Sequence, residues 1–248
     1  MAICNLNTLD PMKFTQLVPM RKDAVAAAPA KALPKDYAVN ALARALHPRR
    51  QYLTVTAVTE LDKDCKRYRL EPDPVRGTDA CAYFAAGQYL TVFLNIEGMP
   101  VNRAYSISSS PKEALNGFYD LTVKRVEGGL VSRYILDTWE AGTPVEVSAP
   151  EGDFDYVPLR DAPHVIAVAG GSGITPFLSF AKAIVDGDED FSMTLLYGSR
   201  TADAILYREE FDRLAAAADK LKVVHVLSHE ERDGYEHGFV TAELIQKY

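Results

Sequence analysis

Arg103, Tyr105 and Ser106 fall within one short segment, Val101-Asn102-Arg103-Ala104-Tyr105-Ser106-Ile107-Ser108-Ser109-Ser110-Pro111. A cation, a phenol and a hydroxyl so close together suit a ligand that carries both a phosphate and a polar aromatic ring. As a strand, the segment puts Arg103, Tyr105 and Ile107 on one face and Ala104, Ser106 and Ser108 on the other. Small and polar residues then stand where a plain core strand would carry Val or Leu. An edge strand whose polar residues face water is the other reading, and this segment alone does not separate the two.

A second stretch with chemical content is Gly170-Gly171-Ser172-Gly173-Ile174-Thr175-Pro176. It lies between an apolar run, His164–Ala169, and a helical pattern, Pro176–Asp186. Glycines let a backbone approach a ligand closely and take up positive φ. Thr175 suits an N-cap and Pro176 the first helical position. Amides at that helix start would then face an anion such as a pyrophosphate. An ordinary glycine-rich turn is the plain alternative, and the pattern is not the GxGxxG fingerprint; the strand-before, helix-after context favours a nucleotide. Gly128-Gly129-Leu130-Val131-Ser132 repeats the logic earlier in the chain, and with Arg103 it suggests a diphosphate held by a guanidinium and a helix terminus.

The elements that position these residues change character along the chain. Residues 1–35 are rich in Ala and Pro, and Ala26–Pro34 reads as a linker. Asp36 is placed to cap a helix over 37–47, whose stripe of Val39, Leu42 and Leu46 is expected to pack against its own chain. From residue 51, strands are expected at 52–61, 65–71, 88–96, 101–109, 119–126 and 145–149, with one helix at 131–139. Turn chemistry at Pro72-Asp73-Pro74, Glu97-Gly98-Met99-Pro100 and Asn116-Gly117 separates them. That spacing predicts a small antiparallel barrel. After Pro163, strands at 164–169, 192–197 and 222–227 alternate with helices at 176–186, 206–217 and from about Thr241. Such alternation predicts a doubly wound parallel α/β domain. The expected division is 1–50, an extension; 51–160, the barrel; and 161–248, the α/β domain.

Composition narrows the function classes. The 248 residues are 48% hydrophobic and 25% charged, as in ordinary globular proteins. A net charge of −7 argues against nucleic acid or an anionic membrane as main partner. The charge is uneven: residues 1–50 carry eight Lys/Arg against three Asp/Glu, and the remainder 19 against 31. Cys4, Cys65 and Cys81 show no metal-ligand spacing, and the five histidines are scattered. No metal site, membrane span or signal peptide is expected, and a reducing cytoplasm fits.

In order, Arg103-Ala104-Tyr105-Ser106, Gly129-Leu130-Val131-Ser132, Gly170–Pro176 and Tyr197-Gly198-Ser199-Arg200 resemble the ferredoxin–NADP reductase superfamily over roughly residues 51–247. More narrowly, the chain looks like bacterial reductase modules that serve oxygenases, ferredoxins or flavodoxins. The resemblance implies an antiparallel Greek-key barrel that binds FAD, followed by an NAD(P)-binding domain. It implies that Arg103 binds the flavin phosphates, that Tyr105 packs on and hydrogen-bonds the flavin, and that Ser106 stands near N5. Tyr105 and Ser106 are thus the catalytic candidates. Gly129, Val131 and Ser132 would hold the FAD pyrophosphate, with Gly87-Gln88-Tyr89 resembling the strand start that precedes the flavin site. Gly171, Gly173 and Thr175 would hold the nicotinamide nucleotide. Arg200 and Ser228 would lie at its ribose, where Arg200 could pair with a 2′-phosphate or be a solvated charge.

Ser228 is followed by His229 where NADPH-using relatives carry arginine, and Asp203 lies close by. The lean is nevertheless to NADPH. Relatives continue after the Thr241–Lys247 helix into a last strand, and some into a ferredoxin domain. This sequence stops at Tyr248, so the expectation is an α/β domain lacking its last strand. The implied activity is hydride transfer from NAD(P)H to FAD, with electrons passed to an acceptor protein or a ferredoxin domain not carried here, by a monomer. A free-standing flavin or quinone reductase is the alternative enzyme. A non-catalytic flavin-binding scaffold is the alternative of another class.

Overall fold

The computed structural model describes residues 14–28 and 37–248. The chain divides between Ala41 and Leu42 into two units. In the first, α1 (Phe14–Ala27) forms where the sequence suggested only linker-like chain, with Pro19 inside it. Good helix formers such as Leu17, Met20 and Lys22 offset that proline. The Asp36 cap and the 29–34 part of the expected linker lie outside the described residues. The predicted second helix is present as α2 (Ala38–Leu46). Its apolar stripe is not packed as expected: Val39 is 69% and Leu42 59% exposed.

The second unit contains two sheets. Strands β1 (Gln51–Asp62), β2 (Cys65–Pro72), β3 (Tyr89–Ile96), β4 (Met99–Ser106), β5 (Tyr119–Lys124) and β6 (Pro144–Val147) form an antiparallel sheet in the order β4-β3-β6-β1-β2-β5. A bridge from Ile107, just past β4, to Leu121 on β5 brings the two edges together, so the sheet curls into a half-barrel. Alternation fills it: Leu53, Val55, Leu90, Val92, Leu121 and Val123 are all buried. Two short helices accompany it, α3 (Pro111–Leu115) where none was expected and α4 (Leu130–Thr138) where one was. Ser110 and Glu113 make a reciprocal capping box on α3, and Gly129 starts α4.

The second sheet is parallel, in the order β10-β9-β8-β7. It is built from β7 (His164–Gly170), α5 (Thr175–Asp186), β8 (Ser192–Ser199), α6 (Arg208–Ala217), β9 (Leu221–Leu227), β10 (Glu236–His237) and α7 (Ala242–Lys247). The interior strand β8 is buried continuously over Met193–Tyr197, as parallel strands covered on both faces are. The two sheets have separate cores, but they share a seam: Cys65 and Ala86 from the barrel segment pack into the core of the parallel sheet with Leu195, Tyr207 and Phe211.

Two expectations need correction. Met99 and Pro100 belong to β4 rather than to the turn before it. Glu97 (φ 52°) and Gly98 (φ 84°) alone make that turn, and Pro100 is tolerated because β4 is an edge strand. Thr175 is not the N-cap of α5. A 3-10 turn over Gly171–Ile174 runs straight into the helix, so Thr175 is already helical and donates its hydroxyl to Ser172 O at 3.1 Å.

Candidate active site

The register of β4 explains its contents. Tyr105 faces Leu90 and Arg103 faces Val92 on β3, and cross-strand partners share a face. Arg103 and Tyr105 therefore project from the side that carries the barrel core, at the edge where that core runs out. Tyr105 packs half-buried on the core, and burial raises its phenol pKa above the ordinary value despite the nearby Arg103 cation. Arg103 is exposed, and its guanidinium donates to Asn102 O at 2.6 Å. Ser106, half-buried, lies on the opposite face opposite Tyr89. A cation beyond a half-buried phenol, at the open margin of a barrel, is a place where an aromatic ring with a phosphate tail can lie.

Helix α4 packs against β4 and β5. Its N-cap, Gly129, offers no side-chain hydrogen bond to the first amides. Those amides are the orphan donors of a helix start and suit an anion. A Cβ on Gly129 would meet Ser132 Oγ at 2.9 Å and Val126 at 3.0 Å, so the tight approach requires glycine. Ser132 accepts the Val126 N–H at 3.1 Å, which leaves its own proton to donate. Val131, 5% exposed, anchors the helix in the barrel core.

The glycine loop sits at the carboxyl end of β7. Gly171 has φ 52°, and a Cβ at Gly171 or Gly173 would meet nothing within 4 Å, so space lies over the loop. The loop packs against β5 of the barrel, the strand that bridges to Ile107. The flavin candidates and the nucleotide loop are thereby one strand apart. A residue not assigned from sequence holds the loop: Tyr197, fully buried, donates its hydroxyl to Gly171 O at 3.3 Å and accepts from the Leu206 amide at 3.2 Å. Its signal in the sequence was its place at the head of the Tyr197-Gly198-Ser199-Arg200 motif, which by itself gave it no role.

Arg200 and Ser228 follow β8 and β9 as expected. His229 N donates to Arg200 O at 2.9 Å, which keeps these strand ends together. Ser228 Oγ lies 2.7 Å from His229 Nδ1, and Glu230 accepts the Ala202 amide at 2.9 Å. The other oxygen of Glu230 lies 3.8 Å from the Arg232 guanidinium. Among the described residues no cluster of three His, Cys, Asp or Glu is placed to hold a metal ion. No helix among them is long and apolar enough to cross a membrane.

Both halves match family models: an oxidoreductase FAD-binding domain over residues 52–156 and an oxidoreductase NAD-binding domain over 167–248. The chain belongs to the ferredoxin-reductase superfamily of oxidoreductases, whose cofactors are FAD and a pyridine nucleotide. Among individual proteins, it is 38% identical over 165 residues to NADH-cytochrome b5 reductase 1 of Candida glabrata. It is 34% identical over 152 residues to the glycine betaine monooxygenase reductase subunit of Pseudomonas aeruginosa. These matches take in 65% and 61% of this chain and 57% and 40% of the relatives, so the chain spans about half their length. The solved structure of a cytochrome P450 reductase from Amycolatopsis superimposes with a TM-score of 0.68 at 27% identity, covering 81% of this chain and 59% of that one.

Proposed function

We propose that the chain is the flavin-dependent reductase module of an electron-transfer system, taking reducing equivalents from NADH and delivering them to a protein acceptor. The observation that carries this reading is the convergence on β5. Ile107, the residue after the Arg103–Ser106 strand, bridges to it at Leu121, and the Gly171–Ile174 turn packs against it. FAD, when bound, supplies two-electron uptake and one-electron release. The residues present suit it. Arg103 is free to turn from Asn102 O to a phosphate, Tyr105 to cover the ring, and Ser106 to hydrogen-bond N5. Gly129, Val131 and Ser132 present helix amides to the pyrophosphate. Gly171, Gly173 and Thr175 shape the loop for the nicotinamide nucleotide, with Arg200 and Ser228 at its ribose. A barrel over 51–160 and an α/β domain over 161–248 are the units of this reading.

NADH replaces the NADPH that Arg200 favoured in the sequence. The relatives include one named as an NADH enzyme, and Ser228 is followed by His229 rather than by an arginine that could pair with a 2′-phosphate. An acceptor protein is taken over a free quinone because the relatives are named as reductases of a cytochrome and of an oxygenase system. A monomer in the cytoplasm is the setting. The test is an anaerobic titration of the purified yellow protein with NADH and, in parallel, NADPH, followed at about 450 nm. Bleaching by NADH at lower concentration than NADPH is expected. A colourless protein that cannot take up FAD overturns the enzyme reading, and bleaching by NADPH alone overturns the choice of nucleotide.

A further inference from the structure

Helix α5 begins at the nucleotide loop, and its far side is tied to the segment that continues the flavin strand. Ser179 donates its hydroxyl to Ser109 O at 2.7 Å, and Ser110 donates to Asp186 Oδ2 at 2.6 Å. Between these two bonds lies Lys182, only 8% exposed. Its Nζ is 3.1 Å from Glu113 Oε2 on α3 and 3.2 Å from Glu210 Oε1 on α6. The other oxygen of Glu210 is 3.3 Å from Arg67 on β2. Glu113 in turn accepts the Ser110 amide at 2.8 Å, closing the circuit on the serine run.

The network crosses from barrel to parallel sheet and back. Arg67, Glu113 and Ser110 belong to the first; Glu210, Lys182, Ser179 and Asp186 belong to the second. A cleft of about 460 Å³ opens here, lined by four basic and four acidic side chains. Its charges are largely spent on one another, as in the Arg69–Asp120 pair at 3.0 Å, so the cleft does not select a ligand. Burying an ammonium and two carboxylates costs several kcal/mol each before pairing, and apolar residues would pack as well. What such a network supplies is geometry: Lys182 is satisfied by Glu113 and Glu210 together at only one placement of the two sheets.

We propose that this seam, centred on Lys182, sets the spacing and angle between the flavin strand and the nucleotide loop, so that Lys182 is a positioning residue for hydride transfer. The inference rests on the function proposed above. Ser109 and Ser110 lie three and four residues beyond Ser106, and Ser179 lies four beyond Thr175, so a shift of the seam moves both sites. Misplacement of reacting groups by about 1 Å lowers rates by roughly a hundredfold.

The test uses full-length flavin-loaded protein carrying Lys182→Met, with Ser179→Ala as a smaller companion change. In Lys182→Met, FAD content and NADH affinity are expected to stay within about twofold of the parent. Stopped-flow reduction should slow by about tenfold or more. The long-wavelength charge-transfer absorbance of stacked reduced flavin and oxidised nicotinamide should fall with it. In the flavin-free protein, hydrogen exchange should rise in both Pro111–Leu115 and Thr175–Asp186. Parental exchange and charge-transfer absorbance in a folded Lys182→Met protein overturn the proposal. Should that variant fail to fold, Ser179→Ala decides: slower reduction at unchanged NADH affinity supports the seam, and parental kinetics overturn it. A parent protein that NADH never bleaches overturns the function reading, while the exchange measurement still decides the seam.

Discussion

Arg103 and Ser106 stand three positions apart on one strand, yet losing each should do different damage. The Arg103 guanidinium is exposed, donates to Asn102 O, and is paired with no acidic group among the described residues; in the function proposed above it holds a phosphate. A charge-assisted hydrogen bond contributes about 1.5–3 kcal/mol, so Arg103→Ala should raise the FAD dissociation constant by about tenfold to a hundredfold. Reduction of that variant by NADH, measured at saturating FAD, should remain near the parent rate. Ser106→Ala should do the reverse, keeping its flavin while reduction slows by about tenfold or more. Flavin release followed by fluorescence, alongside stopped-flow reduction, separates the two, and a Ser106→Ala protein that loses flavin but reacts normally contradicts the assignment.

His225 gives a residue-scale prediction about pH. It sits on β9 beside Tyr197, and neither ring nitrogen has a hydrogen-bond partner. Burial lowers its pKa below the ordinary 6.5, and Asp212 at 3.6 Å only partly opposes this. A histidine whose folded pKa is depressed binds fewer protons folded than unfolded, so its neutral form favours folding at neutral pH. That contribution declines as pH falls through about 6.5 toward the lowered folded value. His225→Gln should therefore flatten the loss of thermal stability between about pH 7 and pH 5. An unchanged slope counts against it.

Among the elements, the one most sensitive to a single methyl group is the start of β3. Gly87 has φ 96°, and a Cβ there would lie 1.9 Å from Phe154 O and 2.8 Å from the Phe180 ring. Gly87→Ala combines left-handed strain with a backbone clash and should cost about 2 kcal/mol or more. Denaturant melting measures this, and a loss under about 0.5 kcal/mol contradicts the packing.

The same stretch shows what was legible in the sequence. Alternating residues and turn chemistry located the barrel strands, because each buried face repeats every second residue. The glycine loops showed where chains bend toward an anion. The seam was hidden. Ser179 and Ser109 lie 70 residues apart, Arg67 and Glu210 lie 143 apart, and no local pattern marks them as partners. Nothing in the local sequence singles out Lys182, although it is the most buried charge on α5. Exposure of the α2 stripe was equally beyond local pattern, which says that a helix has an apolar face and not what covers it.

At the scale of the whole molecule, the two sheets are not independent bodies joined by a linker at 158–163. Their contact is polar around Lys182 and apolar where Cys65 and Ala86 enter the core of the parallel sheet. Denaturation of residues 42–248 should accordingly follow one cooperative transition by far-UV dichroism and tyrosine fluorescence alike. Two resolved transitions would show that the barrel and the α/β domain part before either unfolds.

The placement of Cys65 gives that separation a chemical clock. Its thiol is fully buried at the seam, and burial, reinforced by Asp62, pushes its pKa up to about 12. Alkylating reagents attack the thiolate, so the closed molecule shields this sulfur twice, by access and by ionisation. In a protein whose Cys4 and Cys81 are replaced by serine, labelling of Cys65 would count how often the two halves come apart, one molecule at a time.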